Sequence, residues 1–265
     1  MKKVLLTTLI LASAFSLFAQ NEPAYEKGKF FAFWGWNRSH YTNSTIRFQG
    51  DDYDFKLYRT VAHDKLSPVS YHNYLQLNRI TIPQTNFRIG YFFKDNMAIS
   101  IGVDHMKYVM DQDQTVKVSG NLPKEYRDRV QDGQIKLTDD FLTFEHTDGL
   151  NYINAEFEYY HNFYKNGILK VNGLVGGGAG FLLPKSNVKL FDQKRHDDFH
   201  LAGFGLNGKV GADILLWDLF FLRCEGKEGY INMPSIRTTD SKKDKASQHF
   251  WFAEIDFLFG FAWHF

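Results

Sequence analysis

Residues 248–265 read QHFWFAEIDFLFGFAWHF, and this stretch decides the fold. In an extended strand, successive side chains point to opposite faces. The odd positions from Trp251 to Phe265 then form one wholly apolar face, whereas the even positions include Glu254, Asp256 and His264. The stretch therefore predicts a two-faced β-strand that carries aromatic side chains on one side and charges on the other.

The last residues of this strand are alternating aromatics, Phe261, Trp263 and Phe265. An aromatic at the last position after such an alternation resembles the C-terminal strand of bacterial outer-membrane β-barrel proteins. The resemblance implies that this strand closes the barrel. It also implies that the three aromatics form the signal read by the outer-membrane insertion machinery, which we therefore expect as a partner.

The other end of the sequence predicts export. A basic MKK start precedes the apolar run Val4–Phe18, and Ala19 offers a cleavage site, with Ala14 as the other candidate. An apolar run of about 15 residues is too short to remain as a membrane-spanning helix. We expect a cleaved signal peptide at 1–19 and a single outer-membrane barrel domain at 20–265.

Composition narrows the class of protein further. Lys and Arg number 31 against 30 Asp and Glu, so nothing indicates a nucleic-acid partner. The single cysteine, Cys224, excludes an internal disulfide and an acylated N-terminus. Aromatic residues make up 17% of the chain alongside 21 glycines, which is typical of a barrel with aromatic girdles. After the signal, no apolar run reaches the roughly 18 residues of a helical span.

Two-residue alternation recurs along the whole chain. It predicts eight strands, at Lys29–Ser39, Thr85–Phe93, Met97–Met110, Leu150–Phe163, Ile168–Phe181, His200–Leu216, Leu219–Ile231 and Gln248–Phe265. Three tight turns alternate with four polar connections, at His40–Pro83, Asp111–Gly149, Pro184–Asp198 and Pro234–Ser247. This rhythm predicts an all-β, transmembrane, antiparallel up-and-down barrel with long extracellular loops.

The first connection leaves the strand count open. Its pieces Ser44–Gln49 and Tyr53–Val61 also alternate, and they read as stems that extend the sheet beyond the membrane. If they instead pair as a full hairpin within the barrel, the count rises from about eight strands to ten.

The faces opposite the apolar ones collect charges. These are Arg88, Asp104, Glu156, Glu158, Lys170, Lys209, Asp213, Arg223, Glu225, Lys227, Glu254 and Asp256. An eight-stranded barrel is just wide enough for side chains to fill it. We therefore predict that these groups form an interior charge plug, in which Glu254 and Asp256 accept from Arg223 and Lys227. A narrow pore lined by the same groups is the alternative, and it is stronger for ten strands.

The alternation and the interior charges resemble the small barrels of the OmpA-transmembrane and OmpX type. The general style of the signal and terminal strand is also similar to exported barrels of Bacteroidota. These resemblances imply an integral outer-membrane protein in contact with outer-membrane lipid and lipopolysaccharide. They also imply a larger outer-membrane complex for protein insertion, secretion or uptake as a possible partner.

Several histidines lie next to aspartates in the polar connections: His63 before Asp64, His146 near Asp148, and His196 beside Asp197, Asp198 and His200. Such pairs suit a general base or a divalent-ion site. They match no catalytic signature such as His-x-Ser-Asn, and solvated loops are the simpler interpretation. We predict no catalytic residues, no metal site and no cofactor.

The sequence thus predicts a non-enzymatic outer-membrane barrel that acts as a structural or interaction protein. An accessory subunit of a larger outer-membrane complex is the most specific form of this prediction. A lipid A-modifying or proteolytic barrel enzyme and a small pore remain as alternatives.

Overall fold

A computed structural model describes residues 22–68, 70–74, 76 and 83–264. The predicted signal peptide, residues 1–19, and the terminal Phe265 lie outside the described residues.

Strands dominate this part of the chain. They are β1 Phe30–Tyr41, β2 Ser44–Gln49, β3 Asp54–Thr60, β4 Ala62–His63, β5 Thr85–Lys94, β6 Met97–Met110, β7 Thr115–Asn121, β8 Gln134–Lys136, β9 Leu142–Asn166, β10 Leu169–Leu182, β11 Lys185–Leu190, β12 His196–Phe199, β13 Gly203–Leu216, β14 Phe220–Arg237 and β15 Lys245–Trp263. Two single-turn helices, α1 Tyr71–Tyr74 and α2 Lys124–Arg127, complete the elements.

Strands β1, β5, β6, β9, β10, β13, β14 and β15 each pair antiparallel with the next in this order, and β15 pairs back with β1. We call this closed set of pairings the ring. Its closing register runs from Phe30 opposite Trp263 to Tyr41 opposite Phe252. The predicted all-β, antiparallel architecture is confirmed, and the predicted strand Met97–Met110 coincides with β6.

Tight turns connect the ring strands at one end, which we call the turn end. They centre on Asn96, Gly167 and the pair Trp217 and Asp218, all of which have positive φ. Gly167 follows Asn166, and glycine takes this conformation without steric cost. The chain passes between strands at the opposite end through much longer segments.

The outer face of the ring is apolar. Along β15, Trp251, Ile255, Phe257 and Phe261 are half or more exposed, while the even positions from Phe252 to Ala262 are buried. The same alternation places other large apolar side chains outside, among them Phe87, Ile89, Ile99, Ile101, Phe157, Val175, Phe181, Phe204, Leu206, Val210, Ile214 and Leu222. The polar faces of the strands therefore turn inward.

The long connections are not the polar loops that the sequence predicts. Strand β9 begins at Leu142 instead of Leu150, and β14 continues to Arg237. Strand β2 pairs with β15, and β3 pairs with β2 and β7. The hairpin of β2 and β3 extends the sheet beyond the ring, as its stems predict, and it does not enter the ring because β1 pairs directly with β5.

These extensions form a folded cap over the end opposite the turns. We define the cap as β2, β3, β4, β7, β8, α2, β11, β12, the adjoining ends of β6, β9, β14 and β15, and the short segments that flank these elements. Its core is aromatic: the rings of Phe48 and Phe55 stack at 5.2 Å, and Phe141 and Phe191 pack beside Phe55. Polar residues separate these aromatics in the sequence, so their common core appears only once the strands pair.

Within the described residues, no helix has the length and apolar character needed to cross a membrane.

Candidate functional site: a charged interior closed at both ends

The inward positions of the ring hold the predicted charged residues. All twelve are buried: Arg88, Asp104, Glu156, Glu158, Lys170, Lys209, Asp213, Arg223, Glu225, Lys227, Glu254 and Asp256. Each lies on a ring strand at a position whose sequence neighbours are more exposed, so the strand period alone places it inside. Their partners, however, differ from one part of the interior to another.

Lys209 is the hub of the central part. Its Nζ lies 2.8 Å from Glu156 Oε2, 2.8 Å from Glu158 Oε1 and 3.2 Å from Glu225 Oε2. The ammonium thus meets carboxylates from β9 and β14 while it sits on β13 between them. One buried cation therefore joins two other strands through the interior.

Arg223 extends this network toward the turn end. Its guanidinium lies 3.1 Å from Asp213 Oδ2 and 3.2 Å from Glu225 Oε1. It also stands over the ring of Phe221, 4.6 Å from the ring centroid, and near the ring of Tyr160. Arginine combines paired carboxylates with an aromatic face in this way because its charge is planar and delocalised.

Lys227 and Arg88 extend the network toward the cap. Lys227 Nζ lies 2.7 Å from Asp104 Oδ2 and 3.2 Å from Glu156 Oε1, and Arg88 lies 3.1 Å from the same Glu156 oxygen. Arg88 also donates to Asn154 Oδ1 at 2.6 Å. Charges on β5, β6, β9 and β14 are therefore joined in one continuous set.

Lys170 lies apart from this set. Its Nζ pairs with Asp218 Oδ1 at 2.8 Å, in the turn between β13 and β14, and Lys29 approaches the same carboxylate at 3.5 Å. These pairs hold the turn end and do not join the central network.

Glu254 and Asp256 are not the acceptors of Arg223 and Lys227 that the sequence predicts. Lys227 lies opposite Glu254 in the β14–β15 register, yet its ammonium points across the interior to Asp104. Glu254 Oε1 instead accepts from Asn86 Nδ2 at 2.5 Å. The prediction fails because it pairs neighbouring strands, whereas a long lysine side chain reaches past its neighbour to two other carboxylates.

An aromatic layer closes the turn end, and its central residue escapes the sequence analysis. Tyr25 belongs to a short polar leader before β1, yet its ring is fully buried and stacks on Phe92 at 4.6 Å. Its hydroxyl donates to Asp213 Oδ2 at 3.0 Å. A single aromatic residue in a polar segment forms no alternating pattern from which burial could be predicted. The sequence shows only that Tyr25 follows the apolar Ala24.

The backbone of this leader is held in place as well. Ala24 N–H donates to Asn96 Oδ1 at 2.7 Å, and Asn96 N–H donates to the Tyr25 carbonyl at 3.0 Å. Gly28 N–H donates to the Phe92 carbonyl at 2.8 Å. The leader thus crosses the turn end as a strap, while the cap core covers the other end of the interior.

The histidines of the cap do not pair as their sequence neighbours suggest. His63 meets Asp111 instead of Asp64, and His196 Nδ1 lies 3.2 Å from Asp240 Oδ1. Asp197 pairs with Lys185. Throughout the described ranges, no group of three or more His, Cys, Asp and Glu side chains is arranged to hold a metal ion.

His146 contacts a hydroxyl, but the pair is sealed inside the cap. Its Nδ1 lies 2.8 Å from Ser186 Oγ, and the two residues are 0% and 2% exposed. Burial lowers the pKa of His146 to about 3. The imidazole is therefore neutral at physiological pH and belongs to the packing of the cap core.

The predicted insertion signal is only partly described. Phe261 lies on the outer face, half exposed, and packs on Phe220 with ring centroids 5.6 Å apart. Trp263 lies opposite Phe30 at the closing seam, and Phe265 is outside the described residues.

Comparison with known proteins gives distant structural similarity alone. No family model and no curated protein matches the chain. Among solved structures, outer membrane protein OprG from Pseudomonas aeruginosa matches at 12% identity and a TM-score of 0.44, covering 91% of this chain and 98% of its own. The outer membrane protease OmpT from Escherichia coli matches at 10% identity and a TM-score of 0.36, covering 93% and 100%. Neisserial surface protein A matches at 12% identity and a TM-score of 0.34, covering 87% and 97%. Similarities of this size assign no function.

The hub geometry generates a first prediction. We expect Lys209→Met to lower the free energy of unfolding by about 3–5 kcal/mol, because it leaves Glu156, Glu158 and Glu225 buried without their shared cation. Urea unfolding in detergent measures the change. The control is Lys189→Met, which removes a half-exposed partner of Asp192 on the cap and should have little effect. Equal losses in both variants would contradict the hub.

The buried imidazole generates a second prediction. Because the folded pKa of His146 is about 3 and its ordinary value is 6.5, the unfolded chain binds this proton over a range in which the folded chain does not. Stability should therefore fall as pH drops from 6.5 toward 3, by about 1.4 kcal/mol per pH unit from this residue. Unfolding of wild type and His146→Gln across this range measures the slope, which should be smaller in the variant. Parallel pH curves would contradict the assignment.

Proposed function

We propose that this protein is an integral outer-membrane β-barrel whose ring crosses the bilayer and whose cap binds a partner at the cell surface. The observation that carries the proposal is the reversed arrangement of the ring, with apolar side chains outside and ion pairs inside. A monomer in water rarely exposes an apolar surface that continues around the whole molecule. Lipid makes the same surface favourable, and a closed ring leaves no backbone group unpaired in it.

The height of the apolar surface suits a bilayer. On the outer face, Tyr230 and Trp251 pack together toward the cap, while Phe30, Tyr91 and Trp263 cluster toward the turns. A strand rises about 40 Å from Trp251 to Trp263. If the strand tilts by about 45° from the barrel axis, this length spans about 28 Å along the axis. The result is close to the ~25 Å apolar band between the aromatic girdles of bacterial barrels.

The interior favours a structural or interaction role over transport. Ion pairs fill the centre of the ring, the Tyr25 layer covers the turn end, and the cap core covers the other end. An open pore needs a continuous water-filled path through the ring, and these three layers argue against such a path. A catalytic role also lacks support, because the His146–Ser186 pair lies inside the cap core, away from solvent.

The cap is the part best suited to binding. It has its own aromatic core, so its surface is held in one shape and binding does not have to order it. The segment after β4 presents Leu66 and Tyr71 to solvent, at 56% and 73% exposure. Lys65 of this segment pairs with Glu145 of the cap at 3.5 Å. We propose that this surface docks onto a protein of a larger outer-membrane assembly, with lipopolysaccharide contacting the rim below it.

The membrane location gives a third prediction. Phe257 lies midway between Trp251 and Trp263 on the outer face and is 58% exposed. We expect Phe257→Arg to cost about 2–4 kcal/mol of unfolding free energy in phospholipid bilayers, because it places a charge at mid-depth in lipid. Phe257→Leu is the matched control and should change stability much less. Equal stability of the two variants in bilayers would contradict a lipid-facing ring.

The binding role gives a fourth prediction. Wild-type protein extracted in mild detergent should co-purify with a stable outer-membrane partner. A Leu66→Ser and Tyr71→Ser double variant should recover several-fold less of it, because the apolar contact is lost. Lys56→Ser, a change at another exposed cap position, is the control. Repeated recovery of the wild-type protein alone, or equal recovery from all three, would contradict the interaction role.

A further inference from the structure

Among the described residues, five buried oxygen atoms between the central network and the cap accept no hydrogen bond from an N–H group. They are Asn37 Oδ1, Ser39 Oγ, Glu254 Oε2 and both carboxylate oxygens of Asp256. The four side chains are 0%, 9%, 2% and 0% exposed, respectively. Buried polar atoms in native proteins nearly always have a partner, so a group of five such oxygens is a candidate for binding a ligand.

The sheet register gathers these oxygens. Asn37 lies opposite Asp256, and Ser39 lies opposite Glu254, on the neighbouring strands β1 and β15. All four residues occupy inward positions, and side chains opposite one another in an antiparallel pair begin about 5 Å apart. Glu254 and Asp256 lie two positions apart on the same face, and their carboxyl groups interact directly. The oxygens therefore line one small patch of the interior wall.

Asn86 fixes the orientation of this patch. Its Nδ2 donates to Glu254 Oε1 at 2.5 Å, and its Oδ1 accepts from Asn37 Nδ2 at 2.6 Å. The donor of Asn37 is thus used, which leaves its amide oxygen as the free atom. The carboxyl group of Glu254 also contacts that of Asp256.

The charges of the interior call for a cation here. The bases Arg88, Lys209, Arg223 and Lys227 are all engaged in ion pairs with other acids. Those acids are Asp104, Glu156, Glu158, Asp213 and Glu225. Glu254 and Asp256 take part in none of these pairs. Lys227 attracts both carboxylates from beyond ion-pair distance. Two buried carboxylates without a cation in contact are strongly unfavourable, and one divalent cation between them would offset the cost.

We propose that Asn37, Ser39, Glu254 and Asp256 bind a divalent hard cation, with calcium the best match. The free ligand atoms are all oxygens, which suit Ca²⁺ or Mg²⁺ far better than metals that prefer nitrogen or sulfur. Two carboxylates supply two negative charges, while an amide and a hydroxyl oxygen supply neutral ligands. Calcium accepts such a mixed and irregular set and completes it with water, whereas magnesium demands near-octahedral geometry.

The position of the site determines how the ion arrives. The cap core and the Tyr25 layer cover the interior at its two ends, so the cation is taken up as the ring closes. Refolding is therefore the step at which the ion must be present. Once bound, the ion ties β1 to β15 at the seam where the ring closes.

The test refolds the full chain from denaturant into detergent with millimolar calcium, and removes loose ions on a desalting column containing chelator. Elemental analysis of the folded protein should give one calcium per chain for the wild type. Asp256→Asn and Glu254→Gln should each lose it. Asp51→Asn, an acid paired with Lys243 on the surface of the cap, is the matched control and should keep it. Circular dichroism and gel mobility before and after heating verify that each protein is folded.

Three results would overturn the proposal. They are a folded wild type without metal, equal calcium in wild type and Asp256→Asn, and full replacement of calcium by magnesium at equal concentration. An infrared band of a protonated carboxyl group that disappears in Asp256→Asn would identify a shared proton as the true occupant. Because the readout is metal content, these results are independent of any partner of the cap or location in a membrane.

Discussion

Closure of β1 on β15 is the constraint on which the rest of the structure depends. Once the first and last ring strands pair, the ring has no free edge, and one face of each ring strand must look into a narrow interior. Eight strands leave a narrow interior that side chains can fill. The charges of the inward faces must consequently find partners among themselves, and Lys209, Arg223 and Lys227 do so by reaching carboxylates on several strands.

The two ends of the ring are covered by different structures. The turn end is closed by an aromatic layer around Tyr25, whose hydroxyl ties the layer to Asp213 of the charged network. The cap end is closed by a second core, built from strands that continue beyond the ring. Both coverings keep water from the ion pairs. The attraction within each pair is therefore stronger than it would be in water, because the surrounding dielectric is low. Removing one partner therefore leaves a charge that solvent cannot screen.

Much of the ring could be predicted from the sequence, because two-residue alternation is a local signal. It locates β6 to the residue, and each of the twelve charged residues that it assigns to the interior is buried. The cap could not be predicted, since Leu142 and Phe144 alternate with polar residues and find their apolar partners far away in sequence. Phe144 packs on Phe48, and Leu142 lies opposite Leu190. The ion-pair partners could not be predicted for a related reason. The strand register places Glu254 opposite Lys227, but the long lysine side chain extends past it to Asp104.

The closing seam also sets the order of events during folding. Phe30 pairs with Trp263, so the contact that completes the ring joins residues from the two ends of the described chain. Contacts of such high sequence separation form late and slowly, because the intervening chain must lose its freedom first. Hairpins of neighbouring strands, such as β5 with β6 and β9 with β10, close only a short loop and lose much less chain entropy when they form. We therefore expect the sheet to keep an open edge until this seam closes, and aggregation to be favoured in that interval.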